Sequence, residues 1–396
     1  MSRLPRTLRK NEVCMTYFLD FYFDSAHALI PRVKNHISFV RAYFKKINII
    51  TLDDRNFTQI FRAAEVTHIP LLPVRVLHVI RGLLGTILGI IKLTRVSKAE
   101  GEIVLFSSPY APYSIIVSRL LKVPLIVHFK YDPTMQPLTN LKRRLIRGVL
   151  ELMIKMALRS AKLVVVTTPR LKEMVINRGV RPENVIVSPN YVDEELFSPD
   201  VDGKWVRQQL SISSHEKMII YMGRLSYEKG VNVLVKAFSI IQNNVYNAKL
   251  VIVGDGPEKD KLKEDCQKLN VHEKVVFIKS VTHNLVPNFL AASDIVVLPS
   301  YNEGHPKFLI EAMIMGKPIV ATDVPGINDS VTHFKEAVLV KAGDANALAK
   351  AIELLLKDEE FAYNLAYNAR KKALEMYSKS SIFKGSEENP FRILGF

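Results

Sequence analysis

Short apolar runs rich in valine and isoleucine alternate with longer, partly charged segments along most of the chain. Runs such as 163–169, 248–253 and 295–298 are bounded by glycine, proline or small polar residues. Such runs are typical of strands buried on both faces, and the segments between them are typical of helices that cover a sheet. This alternation predicts an α/β fold built on parallel sheets.

The beginning of the chain has the same alternation. Residues 12–23 are predicted to form a strand, 25–46 a helix and 47–52 a second strand. Strand, helix and strand in this order form a βαβ unit, which gives two parallel strands. The sequence therefore predicts that the first half of the chain contains a sheet of its own.

The length of 396 residues fits two or three domains. A polar, turn-rich linker at 199–202 is the best candidate for a boundary. It predicts an N-terminal domain at 1–200 and a C-terminal domain at 201–377. The apolar pattern is lost after that point, so residues 378–396 are predicted to be an irregular tail.

One strand–loop–helix unit, 295–316, carries two acidic residues that suggest chemistry. It opens on an apolar run that predicts a strand, and turn residues end that strand. Pro306 suits the first position of a helix, and Gly316 suits the residue just past its end. Glu303 then lies at the carboxyl end of the strand and Glu311 lies in the helix, near the crevice where open α/β sheets bind ligands. The alternative is a solvated loop carboxylate beside an ordinary helix-surface carboxylate.

A second strand–loop–helix unit, 217–241, predicts an anion-binding loop. Its loop has the sequence GRLSYEKG from Gly223 to Gly230. Gly223 lets the backbone approach a ligand, and the helix after Gly230 presents free N–H groups and a positive dipole end. Arg224 and Lys229 add positive charge suited to a diphosphate. The loop is not a Walker A motif, and the alternative is an ordinary basic loop.

The formal net charge of +16 is concentrated in the first half, where residues 1–200 hold 30 Lys and Arg against 16 Asp and Glu. A basic half indicates an anionic partner: a membrane surface, a nucleic acid or an anionic substrate. Its positive charges lack interleaved aromatic residues or a known module, so no nucleic acid is expected. Cys14 and Cys266 are far apart, so neither a disulfide framework nor a metal site is predicted, and a reducing compartment is favoured.

Two segments bear on location. The apolar segment 74–97 contains several basic residues and is predicted to be a helix that either packs on a sheet or lies in a membrane interface. The predicted helix 141–160 begins with a basic cluster, which is either a solvated face or a contact with lipid headgroups. Neither a signal peptide nor a spanning helix is expected. The sequence therefore favours a cytoplasmic protein, and the two segments leave a peripheral contact with the inner membrane face as an open alternative.

One histidine of the first half lies at the end of a predicted strand. His128 is near the carboxyl end of 123–129. Histidines at strand ends are often structural, but ligands of open α/β sheets also bind there. Both interpretations of His128 stay open from the residues alone.

The segment EGHPKFLIE, which contains the two glutamates, and the following AMIMGKPIVAT resemble the E-x7-E signature of retaining GT-B glycosyltransferases, glycosyltransferase family 4 in particular. The loop from Gly223 to Gly230 is similar to that family's phosphate-binding loop. The resemblance covers roughly 186–377 and is weak before residue 100, where the first glycine is Gly82. It implies two Rossmann-like β/α/β domains that face each other across a cleft.

The resemblance also implies an activity: metal-independent transfer of a sugar from a UDP-, GDP- or ADP-sugar to a glycan, lipid or small-molecule acceptor, with retention at the anomeric carbon. No cofactor besides this donor substrate is expected. Glu303 would contact the donor sugar, His128 would lie across the cleft, and Glu311 would hold the ribose hydroxyls. The donor-binding residues that the resemblance implies are Gly223, Arg224, Lys229, Val281, Lys307, Phe308 and Glu311.

Three alternative functions are kept. A nucleotide-sugar 2-epimerase would share the architecture and change the chemistry. A basic protein that binds anions or nucleic acid without catalysis would account for the net charge. An inactive family member that acts as a scaffold would account for the glycine-poor N-terminal half.

Overall fold

The computed structural model describes the chain in stretches, which are residues 14–19, 46–51, 66–70, 103–107, 112–132, 141–243 and 247–384. The chain divides into two units, Met1–Ser188 with Glu388–Phe396, and Pro189–Glu387. Within the second unit, the Val192 N–H donates to the Tyr377 carbonyl at 2.9 Å, which joins residues near the unit's beginning and end.

A parallel sheet of seven strands forms the centre of the first unit, in the order β3-β2-β1-β4-β5-β6-β7. All adjacent strands in it run parallel. The strands are β1 Cys14–Leu19, β2 Lys46–Thr51, β3 Val66–Pro70, β4 Ile103–Ser107, β5 Leu125–Phe129, β6 Leu163–Val166 and β7 Val185–Val187. The all-parallel pairing confirms the predicted α/β class for this unit.

The described helices of the first unit are α1 Pro112–Leu121, α2 Leu141–Ser160 and α3 Pro169–Asn177. Helix α3 begins where the sequence favours it, because the Thr168 hydroxyl accepts the Leu171 N–H at 3.2 Å and Pro169 takes the first helical position. The core lies between helix and sheet, where Ile154 and Leu158 of α2 pack in one cluster with Phe129. None of the described helices of the chain is both long and apolar enough to cross a membrane.

A second parallel sheet, in the order β10-β9-β8-β11-β12-β13, forms the second unit. Its strands are β8 Lys217–Met222, β9 Ala248–Val253, β10 Val275–Ile278, β11 Ile295–Leu298, β12 Ile319–Thr322 and β13 Val338–Val340. Its helices are α4 Lys204–Gln209, α5 Val231–Asn243, α6 Lys259–Lys268, α7 Val286–Ala292, α8 Lys307–Ile314, α9 Ala345–Lys357, α10 Glu359–Tyr377 and α11 Lys379–Lys384. Short 3-10 turns at Tyr227–Lys229 and His283–Leu285 precede α5 and α7.

The two faces of the second sheet carry separate apolar cores. Along β8, Met218 and Ile220 join one cluster while Ile219 and Tyr221 join the other. Successive side chains of a strand point to opposite faces, so a run that is apolar throughout is buried on both. This is why the predicted strands of this half agree with the structure.

The structure differs from the sequence prediction in three described places. Pro306, predicted at the first helical position, precedes α8 with an extended backbone (φ −69°, ψ 116°), and Lys307 begins the helix. Strand β3, Val66–Pro70, was not predicted, since its sequence VTHIP is short and mixed in polarity. The predicted irregular tail contains helix α11, Lys379–Lys384, in which the Ser381 N–H donates to the Ser378 hydroxyl at 3.1 Å. The predicted helix at 25–46 and the apolar segment 74–97 lie outside the described residues.

The start of α5 rests directly on the loop after β11. Gly230 has φ of +64°, and a Cβ added to it would lie 2.0 Å from the Pro299 carbonyl oxygen. Gly316, which follows α8 as predicted, has the same φ, but a Cβ there would lie no closer than 3.6 Å, to the Arg370 side chain. The positive φ favours glycine at both positions. At Gly230 the packing also leaves no room for a Cβ atom.

Replacing these two glycines separates conformational strain from crowding. We expect Gly316→Ala to lower the free energy of unfolding by about 1 kcal/mol, the cost of a left-handed alanine. Gly230→Ala should lower it by about 3 kcal/mol, because overpacking adds to the same strain. Urea unfolding followed by the fluorescence of Trp205, the single tryptophan and a residue of the second unit, measures both. Equal losses in the two variants would contradict the backbone contact at Gly230.

Candidate active site

The strand order of the second sheet reverses between β8 and β11. Strand β9 follows β8 in the chain and pairs with one side of it, whereas β11 pairs with the other side. The loops after β8 and β11, which are 223–230 and 299–306, therefore leave the same edge of the sheet side by side. Ligands of open α/β sheets bind in the crevice at such a point. Four of the nine predicted site residues lie in these two loops: Gly223, Arg224, Lys229 and Glu303.

An ion pair joins the two loops. The Lys229 ammonium donates to Oε1 of Glu303 at 2.7 Å, and the Ser300 hydroxyl donates to the same oxygen at 2.8 Å. The side chains of Lys229 and Glu303 are 24% and 11% exposed. A charge-assisted hydrogen bond this short and this shielded from water is stronger than an exposed surface pair. The structure therefore brings together two of the residues that the sequence singled out.

Backbone contacts fix these loops independently of the ion pair. The Tyr301 N–H donates to the Glu228 carbonyl at 2.8 Å, and Gly230 packs on Pro299 as described above. The rings of Tyr227 and Tyr301 stack with centroids 5.3 Å apart and planes 12° apart. The two charged groups are thus held by neighbouring main-chain segments that are already in register.

A buried tyrosine shapes the loop after β8. The Tyr221 hydroxyl donates to the Arg224 carbonyl at 2.9 Å, and a Cβ on Gly223 would lie 2.7 Å from that hydroxyl oxygen. Burial, followed by the charges of Glu303 and Glu228, raises the pKa of Tyr221 well above its ordinary value, so the phenol keeps its proton and remains a donor. Glycine at 223 is therefore required by this contact, and the Arg224 side chain is left exposed.

The second glutamate is held by its own helix and by a histidine. Glu311 of α8 is 5% exposed. Its Oε1 lies 2.8 Å from Nε2 of His283 and 3.6 Å from Nζ of Lys307, one helical turn earlier. Nζ of Lys307 also lies 3.2 Å from Nε2 of His283, so Glu311, His283 and Lys307 form one cluster of contacts. Both contacts of Glu311 are made by its Oε1. The two contacts of Glu303 are likewise made by its own Oε1.

The remaining predicted residues lie apart from these contacts. Val281 and Phe308 are partly buried and pack against the apolar cluster on one face of the second sheet. His128 is the penultimate residue of β5 in the first unit, opposite Val165 of β6. Among the described residues, no group of three or more His, Cys, Asp and Glu side chains is placed to hold a metal ion.

The sequence missed a pair of residues that anchors the loop after β11. The Asn190 N–H donates to Nδ1 of His305 at 3.1 Å, and the Asn190 amide group donates to the His305 carbonyl at 2.6 Å. His305 is 7% exposed and its ring centroid lies 5.2 Å from that of Tyr377. Burial lowers the pKa of His305 to about 4, so near neutral pH the ring is uncharged and Nδ1 is an acceptor. Glu303 and Lys307 flank this anchored residue.

Two signals could have drawn attention to the missed residues. His305 lies between Glu303 and Lys307 in the segment EGHPK, and a histidine flanked by site residues is a candidate for positioning them. His283 follows Val281, one of the predicted donor-binding residues, by two positions. Ser300 carries no distinct signal, since a serine in a polar loop is ordinary.

Comparison with known proteins agrees with this geometry. The family model described as glycosyl transferases group 1 matches residues 204–372, which lie within the second unit and contain both loops. An uncharacterized glycosyltransferase of Methanocaldococcus jannaschii is 31% identical over 217 residues, which are 55% of this chain and 53% of that protein. The chain thus spans about half the length of that relative. The capsular polysaccharide biosynthesis glycosyltransferase CapM of Staphylococcus aureus is 26% identical across 93% of this chain and 95% of that protein.

Solved structures share the fold over nearly the whole chain. Sucrose-phosphate synthase from Thermosynechococcus elongatus aligns with a TM-score of 0.80 at 21% identity, covering 96% of this chain and 99% of that one. HepE from Anabaena in complex with UDP-glucose aligns with a TM-score of 0.75 at 22% identity, covering 94% and 97%. At this level of identity the similarity establishes the fold.

Two parallel Rossmann-like sheets and these structural neighbours define the GT-B class of glycosyltransferase fold. The family model that matches residues 204–372 and the named relatives are glycosyltransferases, to which this chain is similar. The expected fold class and family resemblance are thereby confirmed.

The buried histidine predicts how stability depends on pH. The folded pKa of His305 is about 4, and the unfolded value is near the ordinary 6.5. Only the unfolded chain takes up this proton between those values, so the free energy of unfolding should fall as the pH drops from about 6.5 to 4, by about 3 kcal/mol at most. Urea unfolding followed by Trp205 fluorescence measures it.

A matched pair of variants isolates His305 from the other groups that titrate. In His305→Asn the amide oxygen stands in for Nδ1 and the titration is removed, so the stability should fall less steeply with acid. His333→Asn is the control, because Nδ1 of the exposed His333 also accepts a backbone N–H, from Leu339 at 2.9 Å. An unchanged acid dependence in His305→Asn would refute this account.

Proposed function

We propose that the chain is a metal-independent retaining glycosyltransferase that uses a nucleotide-diphosphate sugar. The observation that carries this proposal is the Lys229–Glu303 contact of 2.7 Å at the point where the strand order of the second sheet reverses. In this contact, an ammonium group that suits a diphosphate lies next to a carboxylate that suits a sugar. Both groups belong to loops that leave adjacent strands at the crevice.

The donor would be bound by three groups of the second unit. Arg224 and Lys229 would neutralise the diphosphate, and the N-terminus of α5 would add its dipole. Glu311 would accept hydrogen bonds from the ribose hydroxyls, since its described contacts with His283 and Lys307 both use Oε1. Lys307, Phe308 and Val281 would line the same subsite.

The chemical problem in sugar transfer is departure of the diphosphate from an oxocarbenium-like centre. Fixed positive charge on Arg224 and Lys229 would stabilise the negative charge that develops on the leaving group, which is the task a metal ion performs elsewhere. Glu303 would contact the donor sugar and stabilise positive charge at the ring. His128 of the first unit would act near the sugar or the acceptor.

The nucleotide and acceptor follow from the relatives as proposals. A solved neighbour holds UDP-glucose, so a UDP-sugar is the first donor to test, with GDP- and ADP-sugars next. CapM takes part in capsular polysaccharide biosynthesis by its name, which favours a glycan or lipid-linked acceptor over a small molecule. The basic first half fits a cytoplasmic enzyme that associates with the anionic inner face of a membrane.

Donor binding tests the site. We expect UDP or a UDP-sugar to raise the melting temperature of the chain, because a ligand that binds only the folded state stabilises it. Lys229→Ala and Glu311→Ala should each weaken binding by about 10- to 100-fold, the loss of one hydrogen bond to a charged group. Isothermal titration with UDP, GDP and ADP measures the affinity directly.

A surface lysine serves as the control for this test. Lys268 pairs with Glu264 and its side chain is 72% exposed, so Lys268→Ala should bind the nucleotide as the wild type does. Nucleotide affinity that is unchanged in Lys229→Ala and Glu311→Ala alike would sink the assignment of the donor site.

Glu303 is expected to affect turnover more than binding. Removing its carboxylate releases the Lys229 ammonium to the diphosphate, so Glu303→Ala should bind UDP at least as tightly as the wild type. The rate at which the variant cleaves the donor to form UDP should fall by about 100-fold or more, because the positive charge that develops at the sugar ring is no longer stabilised. Steady-state kinetics separates kcat from KM, and NMR of the product reports the anomeric configuration. Full activity in Glu303→Ala, or an inverted product, would contradict the mechanism.

A further inference from the structure

His283 lies at the start of a turn that fixes its backbone. The residue before it, Thr282, is extended, and the Leu285 N–H donates to the Thr282 carbonyl at 3.0 Å to close the 3-10 turn. Helix α7 follows directly, with Pro287 in its first turn. The His283 side chain therefore leaves the main chain from a position that the turn and the helix determine.

Packing also orients the imidazole ring. Its centroid lies 5.4 Å from that of the Phe197 ring, and the two planes are inclined by 50°. Phe197 is fully buried and belongs to the apolar core on one face of the second sheet. The His283 side chain itself is 30% exposed. The ring is thus held by the core without being part of it, so it can be replaced while the core stays intact.

One nitrogen of this ring is shared by two groups of opposite charge. Nε2 of His283 lies 2.8 Å from Oε1 of Glu311 and 3.2 Å from Nζ of Lys307. A carboxylate only accepts hydrogen bonds and an ammonium only donates them, so Nε2 of a neutral ring can serve one of the two at a time. Lys307 has Glu311 as a second partner, at 3.6 Å. The position of the Glu311 carboxylate is therefore set jointly by His283 and Lys307.

The joint contact has a consequence for a nucleotide. Both described contacts of Glu311 are made by Oε1, which leaves Oε2 as the oxygen for a ligand. A ribose offers two adjacent hydroxyl groups that donate hydrogen bonds, and a deoxyribose lacks one of them. A carboxylate whose Oε2 is turned away loses the same hydrogen bond that a missing hydroxyl loses. The orientation of Glu311 is therefore measurable as a preference between the two sugars.

We propose that His283 is a positioning residue that aligns Glu311 with the ribose and thereby sets a preference for ribonucleotides over deoxyribonucleotides. The inference rests on the proposed donor site and extends it to a residue that acts through Glu311. Nε2 donates to Oε1, the Phe197 contact fixes the tilt of the ring, and Oε2 faces the ribose hydroxyls. Without this nitrogen, the Lys307 ammonium is the remaining described partner of Oε1 and draws the carboxylate toward itself.

Isothermal titration tests this role. The probes are whichever of UDP, GDP and ADP gives the largest melting shift, together with its 2′-deoxy and 3′-deoxy forms. The wild type should bind the ribonucleotide about 10- to 100-fold more tightly than at least one deoxy form, the value of one hydrogen bond to a charged group. In His283→Phe, which keeps a ring against Phe197 and removes the nitrogen, this ratio should fall to about threefold or less. The ribonucleotide alone should lose affinity.

Three further variants give the comparison its controls. In His283→Gln the amide nitrogen can stand in for Nε2 and donate to Glu311, so the ratio should stay within about threefold of the wild type. Glu311→Ala should bind the ribonucleotide and the deoxy forms alike. His272→Phe makes the same substitution at another histidine that is exposed and begins a 3-10 turn, His272–Lys274. It should leave the ratio unchanged.

Several outcomes would overturn the inference. They are equal binding of all three nucleotides by the wild type, an unchanged ratio in His283→Phe, or the same loss in His272→Phe. A merely structural role would lower the melting temperature of His283→Phe and its affinity for every nucleotide at an unchanged ratio. If His283→Phe does not keep the wild-type melting temperature, His283→Ala takes its place.

Failure of the donor site itself looks different. In that case UDP, GDP and ADP all leave the melting temperature of the wild type unchanged, and the inference falls with the site. A ratio that is lost in Glu311→Ala and kept in His283→Phe would instead preserve the donor site and refute the role of His283 alone.

Discussion

The contact between Lys229 and Glu303 forms only because the loops of the second unit pack closely against each other. Its two charges come from loops after different strands, so a bond of 2.7 Å demands that two main-chain segments lie side by side. Glycine at 230 permits that approach, and the Tyr301–Glu228 backbone bond keeps it in register. Because the pair is mostly shielded from water, removing either partner leaves a charge without its compensation.

A second layer of neutral groups supports the charged ones. Asn190 and His305 hold the loop that carries Glu303 through two hydrogen bonds, and burial keeps the His305 ring uncharged. Tyr221 likewise remains protonated and fixes the Arg224 carbonyl. Because these donors and acceptors are uncharged, they can be buried close to Glu303 without forming a competing ion pair with its carboxylate. The site is therefore positioned by groups that do not change charge near neutral pH.

Much of the second unit was predictable because its strands are uninterrupted β-branched runs and its glycines mark the turns. The same signals identified both loops and their charged residues. The Asn190–His305 and His283–Glu311 contacts were not predictable, since their partners lie 115 and 28 positions apart and neither residue type at such a spacing indicates a pair. Strand β3 was missed for the opposite reason, because VTHIP has too little apolar content for a local signal.

The chain enters and leaves the second unit at neighbouring points. Val192 and Ser378 form a parallel bridge, the Lys379 N–H donates to the Val192 carbonyl at 2.9 Å, and the Lys379 ammonium donates to Asp193 at 2.8 Å. A segment whose ends lie close together can be inserted into another chain at a single position. Residues 189–384 thus have the geometry of an insertable segment, which could be moved as one piece without disturbing the edge where β8 and β11 end.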